Sequence, residues 1–128
     1  MALGYLSVGT TDIERAEVFY REVLGVLGAQ KDNANSSEDQ ILFFQEGSVC
    51  PILVLRRRLD DSRTDRAADT RFSLPAPDRS VVHNVHTVAL DMGGRSEELP
   101  QFSTAAGYSV SFSDLDSNRI EVFTLNTR

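Results

Sequence analysis

The chain has 128 residues, 41% of them hydrophobic and 25% charged, which predicts one soluble globular domain. Its net charge of −6 argues against binding to nucleic acid or to an anionic membrane, since both need a basic protein surface. The single cysteine, Cys50, excludes an internal disulfide. No apolar run is long enough to span a membrane and the amino terminus does not resemble a signal peptide, so we expect a cytoplasmic protein.

The first predicted elements are a strand over residues 3–10 and a helix over residues 12–25. The helix begins with a capping box in which Thr11 is the N-cap and Glu14 reaches back to it. Gly28 suits the C-terminal cap. Between these ends the apolar side chains recur at helical spacing, at Ile13, Ala16, Tyr20, Val23, Leu24 and Leu27.

A β-hairpin is predicted next. The apolar runs at residues 41–44 and 52–55 are separated by the turn-forming pair Gly47-Ser48, and a polar, turn-like stretch at residues 32–39 precedes them. Residues 1–56 therefore form a predicted first module with the order strand, helix, weak strand, strand, strand.

Residues 57–82 are predicted to form a polar connecting loop. The stretch carries both charge signs and two prolines, Pro75 and Pro77, and it has almost no periodicity. A second module of the same single domain is then predicted over residues 83–128.

The second module is predicted to contain a strand over residues 85–90, a helix over residues 96–106, and strands over residues 108–112 and 119–125. The helix would contain Pro100, which is tolerated only in the first turn. A turn at residues 114–118 joins the last two strands.

The last predicted strand carries a carboxylate, Glu121, directly after the acidic turn Asp114-Leu115-Asp116-Ser117-Asn118. A carboxylate in a strand of β-forming residues is costly to bury unless it is paired or binds something. Glu121 therefore indicates either a salt bridge, with Arg56 or Arg119, or a functional group that accepts a hydrogen bond from a ligand or acts as a base.

Two segments carry a family resemblance. One runs from Tyr5-Leu6-Ser7-Val8 through Asp12-Ile13-Glu14 to Leu24-Gly25, and the other from Ala105-Ala106-Gly107-Tyr108 to Glu121. They resemble the opening and closing motifs of the vicinal-oxygen-chelate superfamily, which includes glyoxalase I, bleomycin-resistance proteins and extradiol dioxygenases. The resemblance implies an α+β fold of two βαβββ modules whose curled mixed sheets surround a cavity. The family has three strands after each helix, whereas only two strand-like runs follow the predicted second helix.

The resemblance also implies where a metal would bind. In the family, the glutamate that Glu121 matches is a metal ligand, together with residues from three other strands. The other matching positions here are Tyr5, the hairpin strand at residues 52–54, and Thr87, which are poor ligands. His86 is one residue away from the matching position, so in a strand its side chain would point to the opposite face. We therefore predict no metal and no other cofactor, with a divalent metal as the alternative.

The favoured function is small-molecule binding without a catalytic metal, similar to the bleomycin-resistance members, which bind drugs in a groove that is usually between two subunits. One alternative is a lyase, isomerase or epimerase that uses Glu121, with or without a divalent metal; an extradiol dioxygenase is least favoured, because its iron needs two histidines and a carboxylate. Another is a structural or regulatory dimer with a vestigial cavity.

The ligand site is predicted to lie between the sheets of the two modules. Glu121 and Tyr5 are candidate catalytic residues, and Arg56 is placed at the rim. The full set of candidate ligand-binding residues is Tyr5, Ser7, Leu53, Arg56, Thr87, Tyr108 and Glu121. We expect a homodimer, a small-molecule ligand, and no nucleic-acid or membrane partner.

Overall fold

The chain forms two four-stranded mixed sheets, each backed by one helix. The computed structural model describes residues 6–58, 71–103 and 107–125. In the first module the elements are β1 (Leu6–Thr10), α1 (Ile13–Val26), β2 (Ala29–Lys31), β3 (Gln40–Gln45) and β4 (Leu53–Arg57). The sheet order is β1-β4-β3-β2, with β1 parallel to β4 and the other pairs antiparallel.

The second module repeats this arrangement. Its elements are β5 (Arg71–Pro75), α2 (Arg79–Asp91), β6 (Arg95–Ser103), β7 (Gly107–Ser113) and β8 (Arg119–Thr124). The sheet order is β5-β8-β7-β6, again with one parallel pair, β5 with β8. Both modules are therefore βαβββ units, which confirms the predicted α+β fold class.

The helices join the two modules. Helices α1 and α2 contact each other, and one hydrophobic core runs from the helix-facing side of the first sheet to that of the second. We call the side of each sheet that does not carry its helix the outer face. In the described part of the chain, no helix is long and apolar enough to cross a membrane.

Helix α1 lies where the sequence predicts it. Its N-cap is Asp12, whose side chain accepts a hydrogen bond from the backbone N–H of Arg15 at 3.2 Å, so the predicted cap at Thr11 is wrong by one residue. An aspartate and a threonine are both good caps, and the two stand side by side, so sequence alone does not separate them. Gly28 follows the helix with a φ of +87°, as expected for its C-terminal end.

The predicted strand at residues 85–90 is wrong, because these residues lie inside helix α2. The buried residues of α2 are spaced at helical intervals, at Val82, Val85, His86 and Ala89, and Asp78 caps its start. A short apolar run such as Val85–Leu90 fits both periodicities, and only the stretch before it decides between them.

The predicted helix at residues 96–106 is also wrong, because this segment begins within the edge strand β6. Pro100 fits an edge strand, since its missing N–H can face away from the sheet. The pairing of β6 with β7 shifts register on both sides of Glu98, which hides the alternation that marks a strand. Three strands therefore follow α2, where the sequence indicated two; residues 104–106 lie outside the described part.

The predicted loop over residues 57–82 is wrong at residues 71–75 and 79–82, whereas residues 76–78 connect the two elements found there. Strand β5 begins at Arg71, with Phe72 and Leu74 buried and Arg71, Ser73 and Pro75 exposed, and α2 begins at Arg79. The alternation extends over only five residues and ends at a proline, which makes it a weak signal for a strand. The rest of the predicted loop, residues 59–70, lies outside the described residues.

Candidate functional site

The register of the second sheet places four polar side chains in one row across its outer face. Ser73 of β5 pairs with Glu121 of β8, Glu121 pairs with Ser111 of β7, and Ser111 pairs with Glu98 of β6. These four residues line an open cavity of about 270 Å³, together with Arg71, Phe72, Arg119 and Ile120. All of them belong to the second module.

Each of the two carboxylates in this row has its own neutral hydrogen-bond donors. The Ser73 hydroxyl donates to Oε1 of Glu121 at 2.9 Å. The Gln101 amide donates to Oε2 of Glu98 at 2.8 Å, and the Ser111 hydroxyl lies 3.5 Å from Oε1 of Glu98. Each carboxylate is thus oriented by neutral donors that leave its charge open to the cavity.

A basic row lies beside the acidic one. Arg71, Arg119, Ser113 and Arg95 occupy the next positions along the four strands. Arg119 is an ion-pair partner of Glu97, with Nη2 and Oε1 3.0 Å apart. The pKa of Glu97 is lowered, first by the hydrogen bond from Ser113, which outweighs the opposing effect of burial, and then by the charges of Arg119 and Arg95. Arg119 therefore forms its salt bridge with Glu97 and not with Glu121, which was the predicted alternative.

Ser7 and Arg56, two of the predicted site residues, meet on the outer face of the first sheet. The Arg56 Nε donates to the Ser7 hydroxyl at 2.9 Å, and its Nη1 donates to the Gln40 side-chain oxygen at 2.9 Å. Within one chain these residues do not line the Glu121 cavity.

Three further predicted residues, Leu53, Thr87 and Tyr108, do not lie on an outer face. Leu53 is fully buried on the helix-facing side of β4, where it packs in the core. Thr87 is exposed on α2, so the strand position assigned to it is wrong. Tyr108 points toward α2, where its hydroxyl lies 2.8 Å from His83 Nε2. Tyr5 lies outside the described residues.

The donors around Glu121 do not match a catalytic metal centre. The cavity offers two carboxylates, and its other oxygen donors are neutral serine hydroxyls, whereas catalytic divalent sites of this kind use three or four histidine, cysteine or carboxylate ligands. His86 does not supply one, because it lies on α2 with its Nε2 3.0 Å from the Ser96 hydroxyl. Across the ranges that the structure describes, no group of three His, Cys, Asp or Glu side chains is arranged to hold a metal ion.

The acidic turn before Glu121 is structural. Oδ1 of Asp114 accepts from the backbone N–H groups of Asp116 and Asn118, at 2.8 and 2.9 Å, and Oδ2 accepts from the Asn118 side chain and the Tyr20 hydroxyl. Burial raises the pKa of Asp114, and these hydrogen bonds oppose the rise. Because Tyr20 belongs to α1, this contact also ties the first module to the second.

The sequence analysis identified Glu121 but missed two other charged residues of its cavity, Arg71 and Glu98, and it considered Arg119 only as a salt-bridge partner of Glu121. Arg71 and Glu98 lie in segments predicted as loop and helix. One signal was available: the stretch Arg71-Phe72-Ser73-Leu74-Pro75 alternates polar and apolar residues as a half-buried strand does.

The fold is shared with solved structures of the glyoxalase/bleomycin resistance/dioxygenase type. A glyoxalase/bleomycin resistance protein from Albidiferax ferrireducens T118 superposes with a TM-score of 0.76 over 95% of this chain and 97% of its own, at 18% identity. A glyoxalase/bleomycin resistance protein/dioxygenase family enzyme from Burkholderia phytofirmans PsJN has a TM-score of 0.70, with 98% and 99% of the two chains covered and 17% identity.

A third similar structure is a lactoylglutathione lyase from Agrobacterium tumefaciens, with a TM-score of 0.65, 22% identity and coverage of 96% of this chain and 92% of its own. No protein-family model and no curated protein sequence matches the chain. The similarity at these identities establishes the vicinal-oxygen-chelate fold, which the two sequence motifs predicted.

Proposed function

We propose that this protein binds a small organic molecule without a catalytic metal, and that the cavity around Glu121 is its ligand site. The observation that carries the proposal is the surroundings of the Glu121 carboxylate. Its carboxylate faces an open cavity, its described partner is one serine hydroxyl, and no basic side chain in the described segments lies within ion-pair distance. A charge kept on a cavity wall without a structural partner is typical of a ligand site.

The net charge of the protein is consistent with this proposal. A chain with a net charge of −6 attracts cations to its surface, and the Glu121 cavity carries two carboxylates that would bind a positively charged group. One similar structure is described as a glyoxalase/bleomycin resistance protein, and the resistance half of that description supports binding as the first candidate.

An enzyme is the second candidate, and the same residue favours it. A carboxylate that is oriented by Ser73 and open on its other oxygen could take a proton from a bound substrate, as a lyase, isomerase or epimerase requires. The similar lactoylglutathione lyase belongs to this reaction class. Turnover would then depend on Glu121 itself.

We further propose that a second copy of the chain completes the cavity. The outer face of the first sheet carries Ser7 and Arg56, and the outer face of the second carries the Glu121 cavity, whose wall bears charges of both signs. In a homodimer, Ser7 and Arg56 of one subunit would cover the Glu121 cavity of the other, which brings together predicted site residues that lie apart in one chain.

A thermal-shift screen tests the function. Purified protein is mixed with a panel of small organic compounds and, separately, with Zn²⁺, Ni²⁺, Mn²⁺ and Fe²⁺; a ligand that binds only the folded state raises the melting temperature. We expect organic compounds to stabilise the protein and the metals alone to have no effect. Stabilisation by a metal that is lost in Glu121→Gln would contradict the metal-free proposal.

The Glu121→Gln variant assigns the role of the carboxylate. If Glu121 serves the ligand, the variant keeps the wild-type melting temperature and loses binding or turnover. If it serves the fold, the variant melts earlier and binds as before. Glu22→Gln is the matched control, because Glu22 is an exposed glutamate on α1, away from the cavity.

A further inference from the structure

The Glu121 cavity contains open charges of both signs. Arg71 and Arg119 line it together with Glu98 and Glu121. Arg119 is paired with Glu97 at 3.0 Å, which leaves Arg71 as the cation without an ion-pair partner among the residues described. Arg71 is exposed at the first position of β5, so its guanidinium can reach over the cavity. A ligand would therefore meet one open guanidinium and two carboxylates.

The spacing of these charges suits a ligand that carries both signs. Arg71 pairs with Arg119, and Glu121 pairs with Ser73, so Arg71 and Glu121 are diagonal neighbours on adjacent strands. A strand separation of about 4.8 Å and a rise of about 3.3 Å per residue place their Cα atoms roughly 8 Å apart. Ser73 occupies Oε1 of Glu121 and the two charges do not form an ion pair, so a small molecule can bridge them.

An apolar row borders the charged rows on the same face. Pro75 pairs with Phe123 at the next outward positions of β5 and β8, with Pro75 exposed and Phe123 half-buried. Neither side chain lines the cavity itself, so an apolar group of a ligand held at Arg71 and Glu121 would reach them by extending beyond the charged rows. The cavity, at about 270 Å³, lies below the roughly 300–1,000 Å³ of sites for drug-sized ligands, which favours a smaller molecule.

We propose that this cavity recognises a small zwitterion, an apolar amino acid or a compound with the same ammonium and carboxylate groups. This inference rests on the proposed binding function of the site. The carboxylate would bind the guanidinium of Arg71, whose planar donors match a carboxylate in a two-point contact. The ammonium would donate to Glu121 and Glu98, which stand on either side of Ser111.

Matched amino-acid derivatives test this proposal. Binding of L-leucine, L-methionine and L-phenylalanine is measured by isothermal titration calorimetry with full-length protein, next to the amide and the N-acetyl derivative of each. The amide lacks the carboxylate and the N-acetyl derivative lacks the ammonium. We expect at least one parent amino acid to bind and each of its derivatives to bind at least about tenfold more weakly, since each loses a charge-assisted contact.

Two variants test which residue binds the carboxylate of the ligand and which binds its ammonium group. Arg71→Gln should remove the preference for the parent over its amide, and Glu121→Gln should remove the preference for the parent over its N-acetyl derivative. The controls Arg21→Gln and Glu22→Gln make the same chemical changes at exposed positions on α1 and should leave both preferences intact.

The outcomes separate this inference from the proposed function. If the amides or the N-acetyl derivatives bind as tightly as the parents, the cavity does not recognise a zwitterion, although small-molecule binding stands. If no parent binds while another organic compound stabilises the protein through Glu121, the same conclusion holds. If no organic compound of either panel binds, both the inference and the proposed function are wrong.

Discussion

Tyr20 and Asp114 are the residues whose chemistry is most constrained by burial. Tyr20 is fully buried on α1, and its hydroxyl donates to the Asp114 carboxylate in the turn before β8. Burial raises the pKa of Tyr20 well above its ordinary value, with the Asp114 charge acting in the same direction, so this hydroxyl remains a donor. A buried carboxylate that loses one donor keeps its desolvation cost, which makes this contact important for stability.

We predict that Tyr20→Phe lowers the free energy of unfolding by about 1–3 kcal/mol at neutral pH, because it leaves Asp114 with one donor fewer. The measurement is urea unfolding followed by circular dichroism. Tyr108→Phe is the control, since its hydroxyl contacts His83 at a partly exposed site, and it should change stability by less than about 0.5 kcal/mol. Equal losses of unfolding free energy in the two variants would show that the buried contact stabilises the fold no more than the partly exposed one.

Edge strand β6 is attached to helix α2 through His86. This side chain is 9% exposed, and its Nε2 lies 3.0 Å from the Ser96 hydroxyl. Burial, with a smaller effect of His83, lowers the pKa of His86 below 6.5. The neutral ring is thus favoured in the folded state, and the unfolded chain binds this proton at a higher pH than the folded chain does.

From this lowered pKa we predict a loss of stability in weak acid. The contribution of His86 is fully present above the unfolded pKa of about 6.5 and is lost as the pH falls through that value toward the folded pKa. His86→Gln should flatten the dependence of unfolding free energy on pH between about pH 8 and about pH 5. His83→Gln, at the exposed neighbour, should preserve the slope; a slope that disappears only in His83→Gln would contradict the assignment.

The turn from α2 to β6 depends on a glycine where the two modules meet. A Cβ atom on Gly94 would lie 2.7 Å from the Ser113 carbonyl oxygen, 2.9 Å from that of Ala89 and 3.1 Å from the Phe19 ring. Two of these neighbours are backbone atoms, which cannot move aside without shifting an element. Gly25, in α1, has no such neighbour within 4 Å.

We therefore predict opposite effects for the same substitution at these two positions. Gly94→Ala should lower the free energy of unfolding by about 1–3 kcal/mol through overpacking. Gly25→Ala should raise it by about 0.5–1 kcal/mol, because alanine restricts the unfolded chain and suits a helix. Thermal and urea unfolding of both variants check this. A Gly94→Ala variant with unchanged unfolding free energy would show that the backbone of the turn can shift to accommodate the methyl group.

At the scale of the whole molecule, the two modules meet through their helices and leave both outer faces without a covering element of the described chain. Edge strand β6 also exposes Leu99 and Phe102, at 71% and 62%. Exposed sheet edges and apolar side chains of this kind are normally covered in an assembly. This arrangement supports the proposed homodimer, in which Arg56 of one subunit lies near Glu121 of the other.

We predict a homodimer at about micromolar concentration, in which the outer face of one subunit covers the cavity of the other. Arg56→Glu should weaken it, because it places a further carboxylate beside Glu98 and Glu121 of the other subunit, as measured by sedimentation velocity. Arg21→Glu is a control of equal charge change on exposed α1. Only a 14.2 kDa species at micromolar concentration would contradict the dimer, and an Arg56→Glu variant that dimerises as the wild type does would contradict the meeting of the outer faces.

Residue patterns with long, one-sided periodicity could be interpreted without the structure. Helix α1 was predicted because six apolar residues share one face over residues 13–27, and strands β3, β4, β7 and β8 were predicted because each is an apolar or alternating run bounded by turns. Together with the two motifs at the ends of the chain, these elements were enough to predict the α+β fold of two modules and to select Glu121.

The tertiary structure decided what local patterns leave ambiguous. Residues 85–90 fit a strand as well as a helix, and packing against the second sheet selects the helix; β5 and the bulged β6 become strands because neighbouring strands satisfy their backbone groups. Which side chains share a face follows from register, and register depends on residues far apart in sequence. For that reason Arg71 and Glu98 join Glu121 only in the folded chain, whereas Leu53, Thr87 and Tyr108 turn elsewhere.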